Sequence, residues 1–245
     1  MKAPFTPILA IGEQTDVQSY LFNGSGPLGN IQSDLHYHLY DMSRYHQAII
    51  RELNCNYQKV GEWSDNLKEK VEEIKKAVSD EEELELWKFR VSEERVAINN
   101  ADMEIARSQA FADEFTIIGL WATAEKYLGL VLKHIESHQT NTPIENINAP
   151  YRWNDVKSAF LNKSINLESL DGYSDANECR MLNNAIKHGG SVSSALTQFP
   201  CFSGKPDKEL HKIEFEMQRY YNGISPFLGN LIQKGNKSID PNFLF

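Results

Sequence analysis

Cysteine is scarce in this sequence. The chain has only Cys55, Cys179 and Cys201 among its 245 residues. An odd number at such wide spacing is typical neither of a disulfide-stabilised secreted domain nor of the paired cysteines of a zinc site. We therefore expect no disulfide framework, no bound metal and no cofactor.

The sequence also lacks an uninterrupted apolar run long enough to cross a membrane. Its longest apolar stretch, residues 115–132, is interrupted by Glu125 and Lys126 and indicates a core helix. The first four residues, Met1–Pro4, lead into no apolar signal region. We predict a cytoplasmic protein with no membrane contact.

Positive charge is in short supply. There are 25 Lys and Arg residues against 34 Asp and Glu, so the net charge is −9 and the sequence pI is about 5.3. An acidic chain lacks the long-range attraction to phosphate that a free-standing nucleic-acid-binding protein normally uses. Any contact with RNA must therefore be local, or be made together with a partner.

Helical periodicity runs through most of the chain and predicts an all-α fold. Apolar residues recur at helical spacing from Ser33 to Gln233. The predicted helices cover residues 33–54, 62–78, 81–138, 153–162, 175–188, 208–222 and 225–233. No proline lies between Glu81 and His138, so this stretch is one very long helix or two helices broken near Asn99.

Two regions differ from the rest. Residues 62–98 are highly charged with a thin apolar stripe, which predicts an antiparallel helical arm projecting from a bundle; Ser79 and Glu82 offer a capping box for its second helix. Residues 1–32 are rich in proline and glycine and predict an N-terminal arm or hairpin. Its two possible short strands are 7–11 and 17–22. Residues 33–245 are predicted to form one helical domain.

A cluster of histidines lies in the first predicted helix. His36 and His38 are two residues apart, so on a helix they point to different sides, and His46 follows two turns later. No acidic residue or cysteine stands at metal-ligand spacing from them. We interpret them as surface histidines or hydrogen-bonded core histidines, and we predict no metal site.

The predicted helix 175–188 has explicit ends. Asp175 is placed to cap its start, Glu178 would complete a capping box, and Gly189 and Gly190 would end it. One arc is apolar and contains Cys179, Met181, Leu182, Ala185 and Ile186.

The other arc of this helix is polar. Arg180, Asn184 and His188 are spaced i, i+4 and i+8, so they form one stripe along the helix, which we call the polar stripe. A cation, an amide and an imidazole in a row suit a phosphate or a nucleotide. Spacing alone equally allows the side chains to be ordinary solvated groups.

In its closing sequence LNNAIKHGG and its upstream arginine, this helix resembles the motif helix of the HEPN superfamily. Members are small helical domains, and many are ribonucleases of prokaryotic immunity and toxin systems. Their motif is an arginine, four to six residues and a histidine. Here seven residues separate Arg180 from His188, and Asn183 occupies the commonest position of the arginine.

The resemblance implies a helical bundle and metal-independent RNA cleavage, in which a 2′-hydroxyl attacks the adjacent phosphate. His188 would move the proton, Arg180 would neutralise charge on the phosphate, and Asn184 would orient His188 or the phosphate. Lys187 and Asn183 are further candidates for binding phosphate or RNA. The resemblance also implies that two copies of the helix face each other in a homodimer.

Three functional classes remain open. The first is a HEPN-type ribonuclease effector or toxin of a prokaryotic defence or toxin–antitoxin system. The second is a HEPN-like scaffold without cleavage activity that dimerises or binds nucleotides or proteins. The third is a helical interaction protein that uses residues 62–98 to hold a partner.

Aromatic residues near the C-terminus predict a contact surface. A homodimer, or docking on a helical partner encoded in the same operon, would cover large exposed apolar side chains. The residues that lead to this prediction are Tyr220, Tyr221, Phe227, Phe243 and Phe245.

Overall fold

The computed structural model describes residues 5–14 and 26–243. It confirms the all-α fold: these residues form five α-helices and no β-strand. The helices are α1 (Gly29–Ala77), α2 (Glu81–Thr140), α3 (Trp153–Leu161), α4 (Tyr173–His188) and α5 (Met217–Ile239).

The two long helices are continuous. The predicted gap in α1 between residues 54 and 62 does not exist, because Tyr57 and Val60 continue its inward-facing pattern and are partly buried. In α2 there is no break near Asn99. One long helix, the first of the two alternatives, is therefore the observed form.

The chain forms two compact units. The hairpin unit contains described residues 5–7 and 47–112, and the bundle unit contains described residues 8–14, 26–46 and 113–243. Both long helices contribute to both units. The division into residues 1–32 and 33–245 made from the sequence stays a prediction.

The hairpin unit is an antiparallel pair of helices. Trp63 donates a hydrogen bond of 2.8 Å to Glu94, and a small cavity is lined by Leu67 together with Ile98. Leu67 and Ile98 are both buried, in agreement with the predicted apolar stripe. The cap of α2 is Asp80, whose Oδ1 accepts the Glu83 N–H at 2.9 Å, so the capping box predicted from Ser79 is wrong.

The bundle unit has one large core to which all five helices contribute. Its largest fully buried side chains include Tyr127, Phe160, Phe202, Tyr220 and Phe227. Helices α4 and α5 pack closely against each other. A Cβ at Gly223 would lie 2.3 Å from the Cβ of Asp175, so the close approach of these two helices requires glycine there.

Helix α5 differs from the prediction. Residues 208–216 do not begin a helix apart from a short 3₁₀ turn at Leu210–Lys212, and α5 then runs unbroken through Pro226. The helix continues because its buried face extends to both sides of the proline, from Tyr220 to Leu231. Asn230 Nδ2 also donates to the Pro226 carbonyl oxygen at 2.9 Å.

Burial overturns the predicted aromatic contact surface. Tyr220, Tyr221 and Phe227 are core residues, with exposed fractions of 0%, 2% and 0%. Phe243 is half-buried, and Phe245 lies outside the described residues. The homodimer stays a prediction, but these side chains no longer support it.

The N-terminal segment forms no strand where the structure describes it. Residues 7–10 are irregular, Ile11–Glu13 is a 3₁₀ turn, and the predicted strand 17–22 lies outside the described residues. Ile8 and Ala10 are buried, and the Ile8 N–H donates to Nδ1 of His46 at 3.1 Å. This segment is therefore fixed by packing against the core and not by strand pairing.

One window of α2 is apolar enough, by length and composition, to cross a membrane. Its 18 residues have a mean hydropathy of 1.3, and 56% of the window is buried in the fold. Such burial is typical of the core helix of a soluble protein, as predicted for residues 115–132.

Candidate functional site

Helix α4 begins differently from the prediction. Its N-cap is Gly172, with a φ of 76°, and a Cβ there would lie 2.1 Å from the Gly223 carbonyl oxygen. Asp175 and Glu178 do not cap the helix, because both are hydrogen-bonded to Arg219 of α5. The predicted capping box is wrong.

Glu178 is buried because it has two hydrogen-bond partners on α5. Glu178 is 1% exposed, and its Oε1 accepts hydrogen bonds from Arg219 Nη2 at 2.7 Å and from the Tyr220 hydroxyl at 2.8 Å. Burial alone would lower the pKa of Arg219, but its hydrogen bonds to Glu178 and Asp175 raise it overall. Burial and the neighbouring Glu178 raise the pKa of Tyr220. This network of charge-assisted hydrogen bonds therefore joins α4 to α5.

The end of α4 agrees with the prediction. The N–H groups of Gly189 and Gly190 both donate to the Ala185 carbonyl oxygen, at 3.0 and 2.8 Å. His188 is the last helical residue and is exposed, as is Lys187.

A cavity of about 410 Å³ lies beside α4. Helices α2, α3 and α4 and the segment before α3 surround it. Its lining is mainly apolar and aromatic with three polar side chains, and consists of Trp121, Glu125, Leu128, Gly129, Leu132, Ala149, Pro150, Tyr151, Trp153, Val156, Arg180 and Asn184. We call it the aromatic cavity.

Two tryptophans and a tyrosine supply its aromatic surface. The rings of Trp121 and Trp153 meet edge to face with centroids 5.6 Å apart. Tyr151 is 85% exposed and stands at the rim. Edge-to-face packing fixes the orientation of both indoles. Trp153 also stacks on Tyr173, with ring centroids 6.5 Å apart, and Trp121 is 2% exposed, so Tyr151 at the rim offers the accessible aromatic surface.

A carboxylate and a guanidinium face this aromatic surface. Glu125 Oε1 accepts the indole N–H of Trp121 at 2.8 Å. The guanidinium of Arg180 lies 5.0 Å from the centroid of the Trp153 ring, and its Nε and Nη2 donate to Asn177 Oδ1 at 3.1 and 3.0 Å. Burial lowers the pKa of Arg180, but an arginine remains charged.

The structure divides the predicted site residues into two groups. Arg180 and Asn184 line the aromatic cavity together. His188 and Lys187 are exposed and lie outside its lining. The first two residues of the polar stripe therefore border a cavity, with Arg180 partly buried and Asn184 exposed at its edge, whereas His188 lies outside it.

Asn183 belongs to the core. It is 1% exposed, its Nδ2 donates to Asn184 Oδ1 at 3.4 Å, and its Oδ1 has no hydrogen-bond partner among the described residues. An arginine here, as in the commonest HEPN spacing, would have to bury its charge. As placed, Asn183 supports the orientation of Asn184 and does not present itself to an external phosphate.

The aromatic residues of the cavity could not be recognised as a site from the sequence. Trp121 and Glu125 stand at i and i+4 in the apolar stretch 115–132, which Glu125 and Lys126 interrupt. Because both charged side chains are exposed, such an interruption is what the solvent-facing side of any core helix shows, and it did not indicate a cavity. Trp153 and Tyr151 carried no signal either.

The predicted histidine cluster resolves into separate structural roles. His46 is fully buried, with Nδ1 accepting from Ile8 N–H and Nε2 donating to Asp113 at 3.1 Å. His38 is half-exposed beside the Tyr127 hydroxyl, at 2.9 Å, and Asp34 accepts from that hydroxyl at 2.7 Å. Within residues 5–14 and 26–243, no three acidic, histidine or cysteine side chains are grouped to hold a metal.

No family model, curated protein or solved structure matches this chain. The function is therefore inferred from the residues of the site.

Proposed function

We propose that this protein is a HEPN-like nucleotide-binding protein, in which the aromatic cavity takes one nucleotide, free or as part of an RNA strand. One observation carries the proposal: Arg180 and Asn184 line the same cavity as Trp121 and Trp153, whereas His188 does not. This favours binding over cleavage as the primary activity.

The lining offers groups for the base and for the phosphate of a nucleotide. Aromatic side chains are the surfaces on which bases stack, with a gain of about 1–3 kcal/mol per base, and the exposed Tyr151 ring is the accessible one here. The Glu125 carboxylate can accept from an exocyclic amino group, and Asn184 can pair with a base edge. Arg180 supplies the charge for a phosphate. A cavity of about 410 Å³ is within the size range of small-molecule sites.

The acidic character of the chain is compatible with such a site. A net charge of −9 opposes long-range capture of RNA, but Arg180 acts at contact distance inside an apolar lining. Binding should consequently depend only weakly on salt, with a slope near that of one phosphate contact. A cytoplasmic location is part of the proposal, because that is where free nucleotides and RNA would meet the protein.

Calorimetric titration with nucleoside monophosphates and with a short single-stranded RNA tests the proposal. We expect saturable binding that Arg180→Ala weakens at least tenfold and Asn184→Ala weakens less. Arg90→Ala is the matched control, because Arg90 lies 5.4 Å over the Trp87 ring in the same cation–aromatic geometry, but in the hairpin unit. Absence of binding to every probe, or equal effects of Arg180→Ala and Arg90→Ala, would refute the proposal.

A metal-independent ribonuclease of a defence or toxin–antitoxin system is the second candidate. It is favoured by the exposure of His188 in the last turn of α4, on the same stripe as Arg180. His188→Ala should then lower RNA cleavage by about 10²-fold, as is usual for a lost general acid or base, and EDTA should have no effect.

The exposed His211 provides the control for this test, since His211→Ala removes a surface imidazole that lies near Glu209 and Glu114 and outside the polar stripe. Full cleavage by the His188→Ala variant would exclude the ribonuclease and leave the nucleotide-binding function standing.

A further inference from the structure

Helix α2 has two apolar faces in the hairpin unit. Its inward face packs on α1 through residues such as Val91, Ile98 and Ile105, of which the last two are buried. At 100° per residue, a second set of apolar side chains lies about 180° away from this face. Within the hairpin unit, that second face is turned away from α1.

The second face carries four large apolar side chains. Leu86, Phe89, Val96 and Met103 are 51%, 62%, 56% and 63% exposed. We call them the outer stripe. Phe89, Val96 and Met103 repeat every seven residues, so they occupy one position of a heptad, and the positions three and four residues after Phe89 and Val96 are polar: Ser92, Glu93, Asn99 and Asn100. Single exposed apolar residues are common on protein surfaces, but a row of large ones along one helix face is typical of an interaction site.

Three residues of the outer stripe lie symmetrically about Val96 in sequence, and the fourth, Leu86, would face Ala106. Phe89 and Met103 lie seven residues before and after it, and Glu85 and Arg107 lie eleven residues before and after it. If two antiparallel copies of α2 met at Val96, Phe89 would face Met103 of the other copy. Glu85 would face Arg107 of the other copy, so each contact would occur twice.

This symmetry is what an isologous interface needs, because one surface must be complementary to itself under a two-fold rotation. We propose that the outer stripe is the contact surface of an antiparallel homodimer with Val96 on its two-fold axis. Residues 85–107 supply about 33 Å of helix for the contact, at 1.5 Å per residue.

The charges at the ends of the stripe are available for the contact. Arg107 forms no ion pair with another residue in the described part of the chain. Glu85 bonds Lys88 of its own helix at 2.6 Å, but an exposed i, i+3 pair contributes little and exchanges readily. Two Glu85–Arg107 pairs would select the antiparallel orientation, since a parallel one would place like charges together.

Sedimentation equilibrium of the full chain tests the dimer directly. We expect a reversible dimer whose dissociation constant rises at least tenfold in Phe89→Asp. Tyr37→Asp is the matched control, because Tyr37 is 66% exposed on α1 but lies outside the outer stripe, and it should leave the constant unchanged. The proposal is overturned if the wild-type protein is a monomer at tens of micromolar, or if the two substitutions have equal effects. It is also overturned if the monomer associates only with an added basic helical peptide and not with a second copy of itself.

Charge reversal tests the orientation. Glu85→Arg alone and Arg107→Glu alone should each weaken the dimer, and the double variant Glu85→Arg/Arg107→Glu should restore it, because both pairs reform with reversed polarity. Failure of the double variant to recover would exclude the antiparallel arrangement.

Disulfide formation tests the position of the axis. Val96→Cys should cross-link to its own counterpart under mild oxidation, in a Cys55→Ser background that removes the exposed native thiol. Ala97 is also exposed but lies about 100° round the helix from Val96, so Ala97→Cys should cross-link much more slowly. Equal rates would overturn the proposal. None of these substitutions touches the aromatic cavity, so nucleotide binding should be unchanged whichever outcome is found.

Discussion

The hairpin unit and the bundle unit use the same two long helices in different ways. In the hairpin unit the buried residues form a narrow seam with a small core cluster of Ile50, Leu53 and Ile105. In the bundle unit, α1 and α2 join a core shared by all five helices. The hairpin unit needs only an apolar repeat in each of two neighbouring helices. The bundle unit needs contacts among five helices from distant parts of the sequence. The two units should therefore respond differently to equivalent substitutions.

The largest difference is expected on removing a core side chain. Phe227→Ala in the bundle unit should lower the free energy of unfolding by roughly 3–5 kcal/mol, because Phe227 is fully enclosed and leaves a cavity. Leu67→Ala in the hairpin unit should cost about 2 kcal/mol, the low end for this change, because a two-helix seam can close over the gap. Urea unfolding gives both values. Equal losses would mean that the two cores are equally rigid.

Removal of an acidic residue should show a smaller contrast. Glu178→Ala should cost roughly 2–3 kcal/mol, since it leaves the partly buried Arg219 and the buried Tyr220 without their shared acceptor. Glu72→Ala in the hairpin unit breaks an exposed pair with Lys75 and should have no measurable effect.

Glu178→Gln is the control for this contrast. It retains an acceptor for Tyr220 and should recover part of the loss in thermal or urea unfolding. If Glu178→Ala were as mild as Glu72→Ala, the network would contribute no stability to the packing of α4 on α5.

The smallest expected contrast is in how the stability of each unit depends on pH. Burial lowers the pKa of His134 in the bundle unit, whereas no histidine occurs in the hairpin unit. As the pH falls, the unfolded chain therefore takes up a proton at His134 before the folded chain does. The contribution of neutral His134 to the free energy of unfolding is thus complete above the ordinary pKa of about 6.5 and is lost as the pH falls below it.

Hydrogen exchange at pH 7 and pH 5 can read this effect in each unit. Protection of bundle amides should decrease more at the lower pH than protection of hairpin amides does, and His134→Gln should reduce the difference. An unchanged difference in His134→Gln would assign the effect to another group.

Much of the fold could be predicted from local pattern. The apolar stripe of each hairpin helix, the start of α3 and the glycine end of α4 all depend on residues within a few turns of one another. The prediction failed where a distant residue decided the outcome. Pro226 was expected to start a new helix, but packing of both flanking segments into one core keeps α5 continuous.

For the candidate site the same distinction applies. The i, i+4, i+8 spacing of Arg180, Asn184 and His188 was visible in the sequence, and their placement on one helix is confirmed. That only the first two line a cavity could not be predicted, because the other walls come from Trp121 and Trp153 on α2 and α3.

The sequence by itself determined that this chain is helical and where most helices lie, because backbone hydrogen bonds, apolar periodicity and caps act over a few residues. Only the tertiary structure decided what each polar side chain does. Asp175 and Glu178 stand at cap spacing, yet they bind Arg219, more than forty residues away, since burial against α5 gives a carboxylate a stronger partner than a helix end.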